Sequence, residues 1–107
     1  MVEITTLSEL TIDGKLSLGR SASSKDLFLY STDELKAWFH TQRAANDAIM
    51  VGANTVRVDD PELTVRHVQG RNPLRVIPSS DGRLPPDCTL MNDGVPKEDI
   101  AASILQA

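Results

Sequence analysis

Ala48-Ile-Met-Val51, followed without a break by Gly52-Ala-Asn-Thr-Val-Arg-Val-Asp-Asp-Pro-Glu-Leu-Thr-Val-Arg66, is the stretch from which the rest of the chain is read. A short apolar run closed by glycine reads as a buried strand whose carboxyl end opens into a loop. In open α/β sheets ligands bind in crevices outside such strand ends. Gly52 lets the backbone come close to whatever sits there. Asn54 and Thr55 are cap candidates for a short helix running to about Val58, and Pro61 stops Asp60 from continuing it, so Asp59-Asp60 fall at its end. A carboxylate there faces the unfavourable end of the helix macrodipole. Read alone, the pair is either solvated surface charge or is kept for a purpose outside the helix.

Upstream, Ser31-Thr32-Asp-Glu34 predicts a helix start, with a hydroxyl cap and first-turn carboxylates that suit the macrodipole, and the helix should run to about Ala45. Leu35, Trp38, Phe39 and Gln42 or Arg43 recur at spacings of three and four, which predicts one apolar stripe on the sheet with Trp38 and Phe39 in the core. His40 falls on the neighbouring face, expected partly exposed, and His67 reads the same way. The two histidines are far apart in the chain, with no cysteine or carboxylate at ligand spacing, so no metal site is expected. Val2 to Thr6 alternates apolar with polar and reads as a strand extending toward Leu10. Asp13-Gly14-Lys15 is by itself an ordinary turn, and Leu16 to Lys25 a serine- and glycine-rich loop.

Downstream, Leu74-Arg-Val-Ile77, entered through Asn72-Pro73 and cut off by Pro78, reads as a strand with Ser79-Ser80 at its carboxyl end. Asp81-Gly82 is a turn and Pro85-Pro86 a rigid corner. A further strand is expected after Leu90. Pro96-Lys-Glu-Asp99 then resembles a helix opening, with Ile100, Ile104 and Leu105 as its apolar face. Strand, helix, strand, short helix and strand in alternation argue for an α/β fold.

The 107 residues fit one domain, and a formal net charge of -4 argues against a nucleic-acid partner, which would need a basic face to neutralise phosphates. A lone cysteine, Cys88, excludes an internal disulfide framework and fits a reducing compartment, with the cytoplasm as the default. No stretch approaches the roughly 20 apolar residues of a membrane span, and the amino terminus carries no signal-peptide pattern.

The central stretch resembles the reductase domain of the riboflavin-biosynthesis family, whose members carry a strand, a V-G-A-x-T-V segment, D-D-P or D-N-P, and then L-T-V-R. Thr11-Ile-Asp-Gly-Lys15 is similar to that family's S-L-D-G-K segment. Asn72-Pro-Leu-Arg-Val-Ile77 with Ser79-Ser80 and Gly82-Arg-Leu-Pro85 resembles its N-P-x-R-V-V-x-D-S-x-x-R-L-P segment. The pieces keep the family's order from Thr11 to about Pro86. The chain departs from the pattern at Asp26-Leu-Phe-Leu-Tyr30, where Leu27 and Leu29 stand in place of polar or aromatic contacts, and at Ser79, where aspartate is common.

The resemblance implies a dihydrofolate-reductase-like three-layer α/β sandwich with a mostly parallel central sheet, of which these residues supply the amino-terminal half of a single reductase domain. It implies NADPH-dependent reduction of the ribosyl side chain of an aminopyrimidine 5′-phosphate to ribityl, in a cytoplasmic homodimer, with a phosphorylated pyrimidine as partner and no metal, membrane or nucleic acid. Lys15 and Asp59 would be catalytic. Gly52, Thr55, Asp59, Ser79 and Ser80 would contact the cofactor, and Arg43, Leu63 and Arg66 the substrate. The glycine-rich segment and later strands of full-length relatives do not appear in these residues, so a fragment without catalytic activity of its own is also expected. A pterin- or folate-type reductase of the same fold, and a catalytically silent domain, stay open.

Overall fold

The computed structural model of the protein describes residues 1–17, 19, 22, 23, 25, 31–95 and 100–101. The chain divides into two compact units, Met1–Ser31 and Thr32–Ala107.

In the first unit, residues 1–10 form no strand, and Val2, Ile4, Leu7 and Leu10 are exposed. The alternation that predicts a strand there supplies only one side of a ladder. A strand also needs a neighbour for its backbone groups, and none pairs with it among the described residues. Thr11–Lys15 is the tight turn expected of Asp13-Gly14, with Gly14 at φ 82 and its N–H donating to the Thr11 carbonyl at 2.9 Å. Ser31 Oγ, at the carboxyl end of the unit, donates to both carboxylate oxygens of Glu9 at 2.8 and 2.9 Å. The departure noted at Leu27 and Leu29 lies outside the described residues.

The second unit is a mixed α/β arrangement with parallel strands. Helix α1 spans Asp33–Ala45, and Thr32 caps it by accepting the Leu35 N–H at 3.1 Å, as the hydroxyl and the acidic first turn predict. Strand β1, Ala48–Met50, pairs in parallel with β2, Leu74–Val76, and β2 pairs in parallel with β3, Ile100–Ala101. The sheet order is β1-β2-β3. Between them lie α2, Ala53–Asp59, and α3, Thr89–Asn92. The expected strand after Leu90 is therefore a helical turn. Ile100, expected on a helix, is instead in a strand, because β2 offers it an open edge to pair with; Ile104 and Leu105 lie outside the described residues.

Ala53 and Val56 of α2 form a core with Leu63, Ile77, Cys88 and Leu90, against which Ile49, Val51 and Leu84 pack. Each fully buried aliphatic side chain in such a core stabilises by about 1.5–3 kcal/mol relative to exposure. The strand β1 is less buried than its sequence implies, with Met50 61% exposed, because it has a single neighbour in the described sheet.

Helix α1 turns a different face inward from the one its apolar spacing predicts. Trp38 is 46% exposed and meets Phe39 edge to face at 5.4 Å, whereas His40 is only 6% exposed. The inward face runs through His40, Arg43 and Ala44, because what packs on it is polar backbone from residues 64–70 rather than an apolar sheet. At Gly70 the two pieces come so close that a Cβ would stand 2.5 Å from the Ala44 Cβ.

Candidate functional site

Parallel pairing places the carboxyl ends of β1 and β2 side by side, and the Val51 N–H donates to the Val76 carbonyl at 3.3 Å. Gly52, two residues past the end of β1, caps α2 through its carbonyl, which accepts the Thr55 N–H at 3.1 Å and the Val56 N–H at 3.4 Å. Asn54 and Thr55 thus lie inside the helix rather than capping it. Gly52 has φ -72, open to any residue, and nothing lies within 4 Å of where its Cβ would be. The fold itself does not require glycine there, and the space beside this strand end is open to a ligand.

Helix α2 ends at Asp59, as Pro61 dictates, and Asp60 is its left-handed cap, φ 43 and ψ 57. The acidic pair then divides its roles. Asp60 accepts the Thr89 N–H at 2.6 Å and the Thr89 hydroxyl at 2.7 Å, satisfying the start of α3, whose own cap residue Cys88 makes no side-chain bond. Asp59, half-buried, sits on the last turn of α2, one helix length from Gly52.

From Asp60 onward the backbone is strained. Asp60, Leu63 and His67 all have positive φ, at 43, 58 and 63, and they are the only described non-glycine residues that do. Such conformations cost on the order of 1–3 kcal/mol each and persist where the surroundings over-determine them. Here side chains from other elements grip the main chain: Arg75 donates to the Glu62 carbonyl at 2.9 Å and Arg43 to the Thr64 carbonyl at 3.2 Å. Asn72 accepts the Val65 N–H at 2.8 Å, and His40 Nδ1 accepts the Arg66 N–H at 2.8 Å. Leu63 is buried in the core.

The result is a cluster of charge. Arg66 pairs with Glu62 at 3.4 Å, both about half-exposed, and the His40 and His67 rings meet edge to face at 4.8 Å. Burial pushes Arg43 below the ordinary arginine value, and repulsion from Arg66 adds to the shift while Glu62 opposes it. Two guanidinium groups and one carboxylate leave the cluster with an excess of positive charge, suited to an anion. Sequence distance misled on the histidines, which the fold brings together. Among the described residues no group of three histidine, cysteine or acidic side chains gathers as metal ligands would.

At the end of β2, Ser79 is buried; its hydroxyl donates to Asp81 at 2.9 Å and accepts the Gly82 N–H at 3.2 Å, so it is engaged in the turn. Ser80 is exposed beside it. Lys15, in the first unit, is exposed and pairs with Asp13 at 3.3 Å. A depression of about 190 Å³, lined by Val56, Arg57, Asp60, Pro85, Asp87 and Cys88, is smaller than the roughly 300–1,000 Å³ of ligand pockets and gathers little of the site above.

The residues that sequence reasoning missed are His40, Asn72 and Arg75, which set the loop from outside it. Arg75 carried a legible signal. It shares the buried, period-two face of Pro73, Ile77 and Ser79, and a cation on such a face must be partnered.

Parallel strands, an open strand end at a glycine, and a strained loop held from α1 and β2 define an α/β protein. The chain belongs to the RibD C-terminal domain family, whose model matches residues 3–104. It is 46% identical over 89 residues to the 2,5-diamino-6-ribosylamino-4(3H)-pyrimidinone 5′-phosphate reductase of Aquifex aeolicus, covering 83% of this chain and 40% of that protein. With the protein of the same name from Methanothermobacter thermautotrophicus it shares 41% identity over 90 residues, 81% of this chain and 39% of the relative. The riboflavin biosynthesis protein RibD of Synechocystis is 35% identical over 88 residues, 82% of this chain and 23% of the relative. The chain spans about two-fifths of the length of the two named reductases.

Proposed function

We propose that the chain carries the strand-end loop of a reductase of riboflavin biosynthesis, which converts the ribosyl side chain of an aminopyrimidine 5′-phosphate to ribityl with NADPH. The observation that carries this reading is that Arg43, reaching from α1 to the Thr64 carbonyl, and Arg66 on the strained loop lie close enough to repel, with the Arg66 guanidinium half-exposed. Guanidinium forks match phosphate oxygens, and a cluster with surplus positive charge has a use for an anionic partner. Membership of the family, and the activity for which relatives at 46% and 41% identity are named, point to the same substrate class.

The residues fit a dinucleotide. Gly52 leaves its backbone approachable, Thr55 places a hydroxyl one turn along α2, and Ser80 stands exposed at the adjacent strand end, better disposed than the engaged Ser79. NADPH, when bound, supplies the hydride that reduces the first carbon of the opened sugar. This chain's part is to hold the phosphate through Arg66 and Arg43, and to offer Asp59 as an acceptor or a proton-positioning group at the end of α2. In this reading the parent fold is the dihydrofolate-reductase-like sandwich, and the working form is a cytoplasmic homodimer.

The test follows NADPH oxidation by the full-length protein with the phosphorylated ribosylaminopyrimidine. Asp59→Ala should lower turnover far more than thermal stability. Arg66→Ala should raise KM roughly tenfold or more, the worth of a charge-assisted contact of about 1.5–3 kcal/mol, and leave the NADPH Kd nearly unchanged. An unchanged rate removes Asp59 from the site. A loss of NADPH affinity with substrate affinity intact would move Arg66 to the cofactor.

A further inference from the structure

Arg66 is flanked by left-handed residues, Leu63 before it and His67 after it, so its neighbourhood does not hold an extended course by itself. Of the side chains that grip this segment, only His40 touches the main chain of Arg66, through Nδ1 and the Arg66 N–H at 2.8 Å. Because Nδ1 accepts, the ring is the neutral tautomer with its proton on Nε2. His40 is 6% exposed, and its ring meets that of His67 edge to face at 4.8 Å. One turn further along α1, Arg43 donates to the Thr64 carbonyl. The backbone of residues 64–66 is thus gripped by α1 through one neutral acceptor and one cationic donor. An exposed arginine on an unheld loop would lose much of a phosphate contact to the entropy of ordering it, and prior fixation removes that cost.

We propose that His40 is a positioning residue, whose neutral ring fixes the Arg66 backbone so that the Arg66 and Arg43 guanidinium groups are presented together to one phosphate monoester. This rests on the reading of Arg66 given above. The charged and titratable groups facing the ring are Arg43 on its own helix, and Arg66 and His67 on the loop, with Glu62 paired to Arg66. Burial first, and then repulsion from Arg43, Arg66 and His67, lower the His40 pKa to about 4, while the Thr64 carbonyl pulls the other way. The acceptor form therefore prevails through neutral pH. As pH falls through about 4, the ring is protonated at Nδ1 and the Arg66 N–H loses its acceptor.

The experiment uses the full-length protein with His40→Leu and His40→Asn; the asparagine carboxamide oxygen can stand where Nδ1 stands but does not titrate. KM is measured for the phosphorylated substrate and for its dephosphorylated form, beside the NADPH Kd. His40→Leu should raise KM for the phosphorylated substrate about tenfold, with kcat moving less, NADPH Kd held, and the dephosphorylated substrate unaffected. His40→Asn should recover most of that loss and should show a smaller rise in KM than the wild type as pH falls toward 4, the shared part belonging to the substrate phosphate, which takes up its second proton at about pH 6. An unchanged KM in His40→Leu, or an equal loss for both substrates, overturns the proposal. Should His40→Leu fail to fold, the pH series of wild type against His40→Asn decides, and parallel curves overturn it. A wild type that does not distinguish the two substrates would instead refute the phosphate reading of Arg66 and take this inference with it.

Discussion

Two arginine–carboxylate pairs, one within the segment that joins α2 to β2 and one between β2 and the end of α3, have almost nothing in common energetically. Arg75 and Asp93 meet at 2.6 Å with side chains 1% and 15% exposed, while Arg66 and Glu62 meet at 3.4 Å with 46% and 45% exposed. Arg75 also donates to the Glu62 and Leu90 carbonyls, and only its Nε has no partner. Its guanidinium holds the Asp93 carboxyl below the ordinary carboxylate value. The buried pair ties loop, strand and α3 into one unit. The exposed pair is longer and reaches solvent, so it is open to exchange partners. Arginine in a sequence says neither; burial and the carbonyls around it decide.

Arg75→Leu should break this contrast most visibly. It leaves Asp93 without its cation and the Glu62 and Leu90 carbonyls without a donor, a loss of about 3–5 kcal/mol by analogy with other interrupted buried pairs. Denaturant unfolding measures it, and a loss below about 1 kcal/mol would mean that the pair is not a structural tie.

The next effect is on acid stability and comes from His40. Its pKa is lowered from 6.5 to about 4 on folding, so the unfolded chain binds the extra proton first. Stability from this group is complete above 6.5, declines as pH falls, and is lost through about 4, a change of at most about 3 kcal/mol. Thermal unfolding of wild type against His40→Asn across that window should show the slope in the wild type alone. Equal slopes would assign the acid sensitivity to carboxylates such as Asp93.

The smallest effect belongs to the exposed pair. Arg66→Ala should change stability by less than about 1 kcal/mol, since exposed ion pairs are screened and entropically costly. A larger loss, read in the same unfolding experiment, would erase the distinction between the two arginines.

What was legible in the sequence was what local chemistry decides. Thr32 before two acids starts α1, and Pro61 ends α2 at Asp59. The Asn72-Pro73 entry and the β-branched Val76 and Ile77 locate β2. The candidate residues near Gly52 and Arg66 come from resemblance to a family pattern rather than from local chemistry. What was not legible depends on partners remote in the chain. The inward face of α1 was assigned to Trp38 and Phe39 because apolar spacing presumes an apolar surface to pack on. The loop instead offers backbone groups, and a histidine and an arginine answer those better than rings do. Val2–Thr6 had the alternation of a strand but no ladder, and Ile100 joined one that its own segment did not announce.

The close approach of Gly70 to α1 makes two positions from separate elements answer to a single volume. With the Ala44 Cβ only 2.5 Å from where a Cβ at position 70 would fall, one methyl group fits between helix and loop and a second does not. A methyl can therefore move from 44 to 70 only if 44 becomes glycine, and that exchange places a flexible residue within α1, costing about 1 kcal/mol in helix propensity. Random variation at either site taken singly would find almost no larger residue that fits, whereas libraries that change 44 and 70 together reach sequences that neither single substitution can.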